Sequence, residues 1–224
     1  IVFVTTFVIG FLNSSFILKY IVKYFNLQNA SIVATSPFQF IDLSMSIGMY
    51  CGFIVCLPLL IYYLYKFMRE GLNDSERKVF FILLPVGLLL FSVGFVYGLF
   101  VLDFALNSIA QINAGLGIEN FWDIATFLSQ ILFSSVLLGL LFQYPIVLTF
   151  LIRVGLLNTH FLKRKRRIAY VIMFLATSFL PPTDGLSLII MAAPLILIYE
   201  VTIIANLQST YPGAVSVIET QYEK

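Results

Sequence analysis

The placement of charge limits this chain more than any other feature. Asp, Glu, Lys and Arg make up 11% of its 224 residues, and they cluster in short stretches. Between these stretches lie charge-free intervals: Ile1 to Leu18, Leu43 to Tyr65, Val79 to Leu102, Ile124 to Ile152, Ile168 to Thr183, and Gly185 to Tyr199. The last extends past Glu200 to Asn206. A helix needs about 20 apolar residues, at about 1.5 Å each, to cross a hydrocarbon core of about 30 Å. Soluble domains are about 45–50% apolar, whereas this chain is 60% apolar. A water-facing globule of this composition would have too few polar side chains to cover its surface. The solvent is therefore lipid, and the spacing predicts an all-α membrane protein with six transmembrane helices.

The last two intervals are short, so their helices must thin the bilayer or shelter among longer neighbours. Pro181-Pro182-Thr183-Asp184-Gly185 cannot stay helical and separates them as a tight hairpin. Pro58, Pro85, Pro145 and Pro194 each remove a backbone donor inside a span, which predicts bent helices and a concave bundle. The triplet Asn13-Ser14-Ser15 interrupts the first interval, and Lys19 to Phe25 continues it as an amphipathic stretch. Residues 106–122, with Gly115, Gly117, Phe121 and Trp122, read as an interfacial cap.

Basic residues orient the spans. Of thirteen Lys and Arg, eleven fall in alternate loops and the tail, including the run Lys163 to Arg167. The opposite loops hold only Lys19 and Lys23, and carry Asp103, Glu119, Asp123 and Asp184. Both termini are thus expected to be cytoplasmic. Residues 1–206 read as a single integral membrane domain and 207–224 as a cytoplasmic tail. The chain opens at Ile1 inside an apolar run, with no basic segment before it, and reads as truncated within or beside its first span.

Few residues offer chemistry. Cys51 and Cys56 stand five apart on different helix faces and read as packing residues. His160 has no matching ligands nearby, so neither a metal nor a cofactor is expected. No nucleophile–base set and no phosphate-binding GxxxxGK[ST] loop occurs, so the chain does not read as an enzyme or as a nucleotide-driven machine. Nothing suggests nucleic acid as a partner. The costly groups are polar side chains in lipid. Gln143 lies within the fourth span and serves either an internal helix–helix hydrogen bond or a contact with a partner. Asp184 serves as an N-cap of the sixth helix or as a partner contact, and Glu200 is interfacial or a partner contact.

Several short motifs occur in order along the chain: Ser36-Pro-Phe38; Phe67 followed by Ser75-Glu-Arg77; Phe142-Gln-Tyr-Pro145; the basic run 163–167; Leu180-Pro-Pro-Thr-Asp184; and Ala193-Pro194 leading to Tyr199-Glu200. Together they resemble the TatC family, the multispanning core of the twin-arginine protein translocase, over residues 1 to 206. The resemblance implies a cell (inner) membrane receptor for twin-arginine signal peptides. It also implies recruitment of TatA- and TatB-type single-span partners, self-association, and export of folded proteins driven by the proton-motive force. The family's signal-binding loop glutamate falls on Glu76 and its loop aromatic on Phe67, with Arg77 beside them. The family's N-terminal cytoplasmic helix is not seen before Ile1, its fourth-span glutamate is replaced by Gln143, and a loop proline is missing near Glu70. The reading from another class is a small-solute transporter or channel. That reading needs charge pairs at the bilayer midplane, where only Gln143 stands.

Overall fold

A computed structural model describes residues 1–25, 30–68, 74–153, 156–181 and 184–207; the side chains of 30, 58, 60–61, 64–68 and 74–84 also lie outside that description. The described residues form nine helices and two short strands. In chain order these are α1 (Val2–Leu12), α2 (Ser14–Tyr24), β1 (Ala30–Val33), α3 (Gln39–Met68), α4 (Asp74–Gly115), β2 (Asn120–Asp123), α5 (Ile124–Leu141), α6 (Tyr144–Arg153), α7 (Thr159–Arg164), α8 (Arg166–Ser178) and α9 (Gly185–Leu207). Four stretches among the described residues are long and apolar enough to cross a membrane: Gln39–Leu57, Pro85–Gly115, Ile124–Arg153 and Gly185–Leu207. Joined as one bent unit, α1 and α2 make a fifth. Helix α8 has 13 residues and reaches about 20 Å, short of the core.

The sharpest break between these joined helices lies at an asparagine, not a proline. The chain turns by 66° between α1 and α2. Asn13 ends α1 by folding its side-chain amide back onto the Ile9 carbonyl at 2.9 Å, the local bond that lets Asn compete with a helix. Beyond the turn, buried Ser14 donates to Ser44 Oγ at 2.8 Å, and Ser44 donates to the Phe40 carbonyl at 2.8 Å. The polar triplet of the first interval thus fixes a corner onto α3. Past it, Lys19 and Lys23 stay exposed while Phe25 is buried and Ile21 packs beside it.

Close helix approach depends on missing side chains. α1 crosses α3 so tightly that a methyl at Gly48 would lie 2.9 Å from the Phe7 carbonyl oxygen. Cys51 packs on Gly10 in the same seam, and both cysteines are free thiols. A second seam joins α4 to α5 and its continuation. A methyl at Gly94 would meet Phe142 at 2.6 Å, and one at Gly98 would meet the Ser135 Cα at 2.8 Å. Such small-residue contacts substitute for the hydrophobic effect, which cannot drive helices together in lipid.

Two apolar cores share α4 and α5. Phe25, Leu43, Leu102, Phe127, Leu128 and Ile131 form one. Val101, Leu138, Phe142, Met191, Leu195 and Ile203 belong to the other, on the side of α6 to α9. Neighbouring Val101 and Leu102 therefore face different cores.

Pro194 shows how the fold repairs a broken backbone ladder. Proline has no N–H, so the carbonyl four residues earlier, on Ile190, loses its usual donor. The Tyr97 hydroxyl of α4 donates to that carbonyl at 2.8 Å. α9 continues helical through Pro194, and α4 continues through Pro85. At Pro145 the chain does break: Phe142 and Gln143 form a turn between α5 and α6.

The two loops that precede α3 and α5 meet in a parallel pair, β1 with β2, in register from Ala30↔Asn120 to Val33↔Asp123. The expected helical and interfacial pattern contains no strand signal. Four-residue strands are too short to announce themselves by alternation. Two strands alone are marginal; here Ile32 and Trp122 pack against the first core, with Trp122 stacked on Phe127 at 6.0 Å. The interfacial cap therefore turns its Trp inward, while Phe121 stays exposed.

Asp123 locks this end. Its Oδ1 accepts from the Thr126 N–H at 2.9 Å and the Thr126 hydroxyl at 3.0 Å, capping α5. Its Oδ2 accepts from the Thr35 hydroxyl at 2.5 Å and from the Gln39 amide of α3. The Thr35 hydroxyl, the Thr126 N–H and the Gln39 amide together hold its carboxyl well below the usual carboxylate range.

Two outcomes test these links. Tyr97→Phe leaves a buried carbonyl without a donor and should lower stability in detergent by about 1–2 kcal/mol. In a Pro194→Ala background the restored N–H should remove most of that loss; an equal loss in both backgrounds would disprove the link. Because the folded-state pKa of Asp123 is depressed, its contribution is complete above its unfolded-state pKa, about 3.9, and is lost as pH falls below that. The melting temperature of the wild type should therefore fall more steeply below about pH 4 than that of Asp123→Asn, which should already be less stable at pH 7.

Candidate functional site

No group of three or more potential metal ligands occurs among the described residues. The polar residues in or beside the spans therefore carry the candidate chemistry, and the fold distributes them rather than gathering them into one centre. Gln143 sits at the α5–α6 turn, partly exposed. Its Nε2 donates to the Gly87 carbonyl of α4 at 2.9 Å. Gly87 permits this approach, since a methyl there would lie 3.1 Å from Gln143 Oε1 and 2.9 Å from Ile146. Oε1 itself accepts no hydrogen bond among the described residues. The amide is thus an internal bridge on its donor side and open on its acceptor side.

Asp184 opens α9. Its Oδ2 accepts from the Ser187 N–H at 2.9 Å, the geometry of an N-cap. Its Oδ1 and the Ser187 hydroxyl are both buried with no hydrogen-bond partner among the described residues. Nearby in the chain, Leu180 is fully buried, and the Pro181 carbonyl accepts from Ser134 at 2.6 Å, tying the hairpin to α5.

Glu200 lies toward the opposite end of α9. Its Oε2 pairs with Arg166 at 2.8 Å, and its Oε1 accepts from the Tyr170 hydroxyl at 2.5 Å. Both oxygens are engaged by α8, so this carboxylate fastens the short helix α8 to α9. Tyr199 beside it donates to the Leu162 carbonyl at 3.0 Å and extends the fastening to α7. The pair is partly exposed, at 41% for Arg166 and 29% for Glu200, so its electrostatic value is modest.

Phe67 lies in α3, and Glu76 and Arg77 lie in the first turn of α4. Their side chains fall outside the described residues. Only the short segment 69–73 separates those two helices, so the backbone brings the three residues to one end of the bundle. Asp123 and Tyr97 were not among the residues singled out from the sequence. Asp123 carries an N-cap signal in Asp-x-x-Thr before an apolar run. Tyr97 carries none, because its partner carbonyl is 93 residues away.

Comparison with known proteins decides between a translocase subunit and a small-solute carrier. Residues 1–194 match the family model for the Sec-independent protein translocase protein TatC. The chain belongs to the TatC family. It is 28% identical over 205 residues to the translocase protein TatCy of Bacillus subtilis, covering 89% of this chain and 81% of that protein. It is 30% identical over 174 residues to TatC of Listeria innocua, covering 77% of this chain and 69% of that protein. A crystal structure of the twin-arginine translocase receptor TatC in detergent superposes with a TM-score of 0.80 at 27% identity, covering 91% of this chain and 92% of that one. The chain is therefore a membrane component of Sec-independent protein transport, a transport protein rather than a catalyst. Within this TatC-family fold the internal bond of Gln143 has a defined cost. Gln143→Leu should lower detergent stability by about 0.6–2 kcal/mol while leaving the fold cooperative. A thermal melt unchanged from wild type would show that the Gly87 contact carries no stability.

Proposed function

We propose that this chain is the receptor and core subunit of a twin-arginine translocase, with six spans and both ends cytoplasmic, in the cell (inner) membrane. The observation that carries the reading is the match over 91% of the chain to a protein described as the twin-arginine translocase receptor. On this reading α8 is the fifth span, short because it is sheltered by α9 and α7. The tail after Leu207 is cytoplasmic, as the distribution of Lys and Arg requires.

Signal recognition is assigned to Glu76, with Phe67 and Arg77 beside it. A pair of guanidinium groups needs carboxylate at short range in a partly dry groove, and its planar fork distinguishes it from lysine. The open acceptor side of Gln143 and the unpartnered Oδ1 of Asp184 support contact with TatA- or TatB-type single-span helices. An amide does not titrate near neutral pH, so Gln143 acts by hydrogen bonding and not as a proton relay. Glu200 contributes by holding α8 against α9. Work is drawn from the proton-motive force, and the subunits self-associate around folded cargo.

The test uses the full chain in vesicles. A twin-Arg signal peptide should bind more tightly than its Lys-Lys form. Glu76→Ala and Glu76→Gln should each weaken the twin-Arg peptide by about 1.5–3 kcal/mol, which is roughly 10- to 150-fold. Unchanged affinity in both variants would overturn the assignment of Glu76.

A further inference from the structure

An open groove of about 530 Å³ lies between α6, α7, α8 and α9. Its walls are apolar, with Tyr144, Leu148, Ile168, Ile172 and Ala176 among them, and among the described residues Lys165 is the one charged side chain that lines it. The tyrosine hydroxyls that reach it are already engaged, Tyr144 on the Leu195 carbonyl and Tyr199 on the Leu162 carbonyl. The groove is thus an apolar trough with a cation at one end.

Its dimensions match one leaflet. From Lys165 to Ala176 the chain rises eleven residues along α8, about 16 Å at about 1.5 Å each. Half of a hydrocarbon core of about 30 Å is about 15 Å. A hydrocarbon chain laid along α8 spans this length, with the cation at its headgroup end. Lys165 is exposed beside exposed Lys163, Arg164 and Arg167, none of which forms an ion pair among the described residues. The nearby acid, Glu200, is neutralised by Arg166.

We propose that this groove is a binding site for a single anionic phospholipid, with the phosphate at Lys165 and one acyl chain laid along α8. The site rests on the membrane setting of the chain and not on the signal-peptide reading, so each can fail without the other. Lipid held there would fill the space between the fourth span and α8, and would give the cationic run a role in binding besides orientation.

The purified full chain in detergent is titrated with phosphatidylglycerol and, separately, phosphatidylcholine, and bound lipid is counted by native mass spectrometry. Phosphatidylglycerol should be preferred by at least about five-fold, the effect of one basic residue at an anionic headgroup. Lys165→Gln should remove most of that preference and Lys165→Arg should keep it. Ala176→Phe fills the groove and should weaken both lipids while the protein still melts cooperatively. If that variant does not fold, Ile172→Trp at the exposed rim replaces it with the same expectation. Equal binding in the Gln and groove-filling variants would overturn the site. So would protection by glycerol phosphate equal to that by lipid, since the cations would then be a plain anion site. A photoreactive residue at position 172 should give a lipid adduct in native vesicles; a dominant adduct to another protein or to a second copy would also overturn it.

Discussion

In lipid a backbone carbonyl without a donor has no water to turn to, and the arrangement of this fold follows from that constraint. Many polar side chains in or beside the spans are spent on it. Tyr97 serves the carbonyl that Pro194 leaves open, Ser134 serves Pro181, and Tyr199 adds a donor to Leu162 beside the Lys165 N–H. At the 66° corner the Asn13 amide adds a second donor to the Ile9 carbonyl, which already accepts the Asn13 N–H at 3.1 Å. Gln143 adds a donor to the Gly87 carbonyl inside the continuous helix α4 and so links the α5–α6 turn to it. Polar side chains are thus placed where the backbone is irregular, and their positions mark where helices bend, end or cross.

The same constraint explains why the helices can come so close. Without a hydrophobic drive, association relies on dispersion and on bonds of this kind, so the seams are lined with glycine. Gly94 and Gly98 let α4 meet α5 and Phe142 with no intervening side chain, and Gly48 does the same between α3 and α1. Val101 and Leu102 then send one apolar core to each side of α4. The helix is a spine shared by two half-bundles. At one end, Asp123 ties the loop before α3 to the start of α5, where the parallel strand pair also joins the two.

Much of this was legible in the residues. Charge-free runs located the long helices, the double proline located the hairpin, and six ordered motifs pointed to the family that the comparisons then showed. Length alone misled at two places. Of the sixteen-residue interval before the hairpin only eleven residues, 168–178, fall in α8, because the chain leaves the helix at Phe179, ahead of the prolines. The first interval does not continue straight, because Asn13 offers the backbone a local alternative. The strand pair and the Tyr97 bond were not legible, since each joins residues about 90 apart and neither leaves a periodic signal. The assignment of Glu76, Phe67 and Arg77 came from family resemblance and not from spacing, because charge alone reads that loop as solvated.

Once the backbone's needs are met, what remains unsatisfied becomes informative. Gln143 keeps a free acceptor, and Asp184 and Ser187 keep buried groups with no partner among the described residues. These lie on different elements, at the α5–α6 turn and at the start of α9. Each hydrogen bond of this kind in lipid contributes about 0.6–2 kcal/mol, which separately gives only weak attachment. A receptor that assembles around cargo and then releases it needs contacts of that size. Several weak, separated docking points give an assembly that is stable when all engage and falls apart when one is withdrawn. A titratable carboxylate at position 143 would make such a contact depend on local pH; the amide makes it independent of pH. On the proposed reading, the coupling to proton flow therefore lies outside this residue, and Gln143 supplies geometry alone.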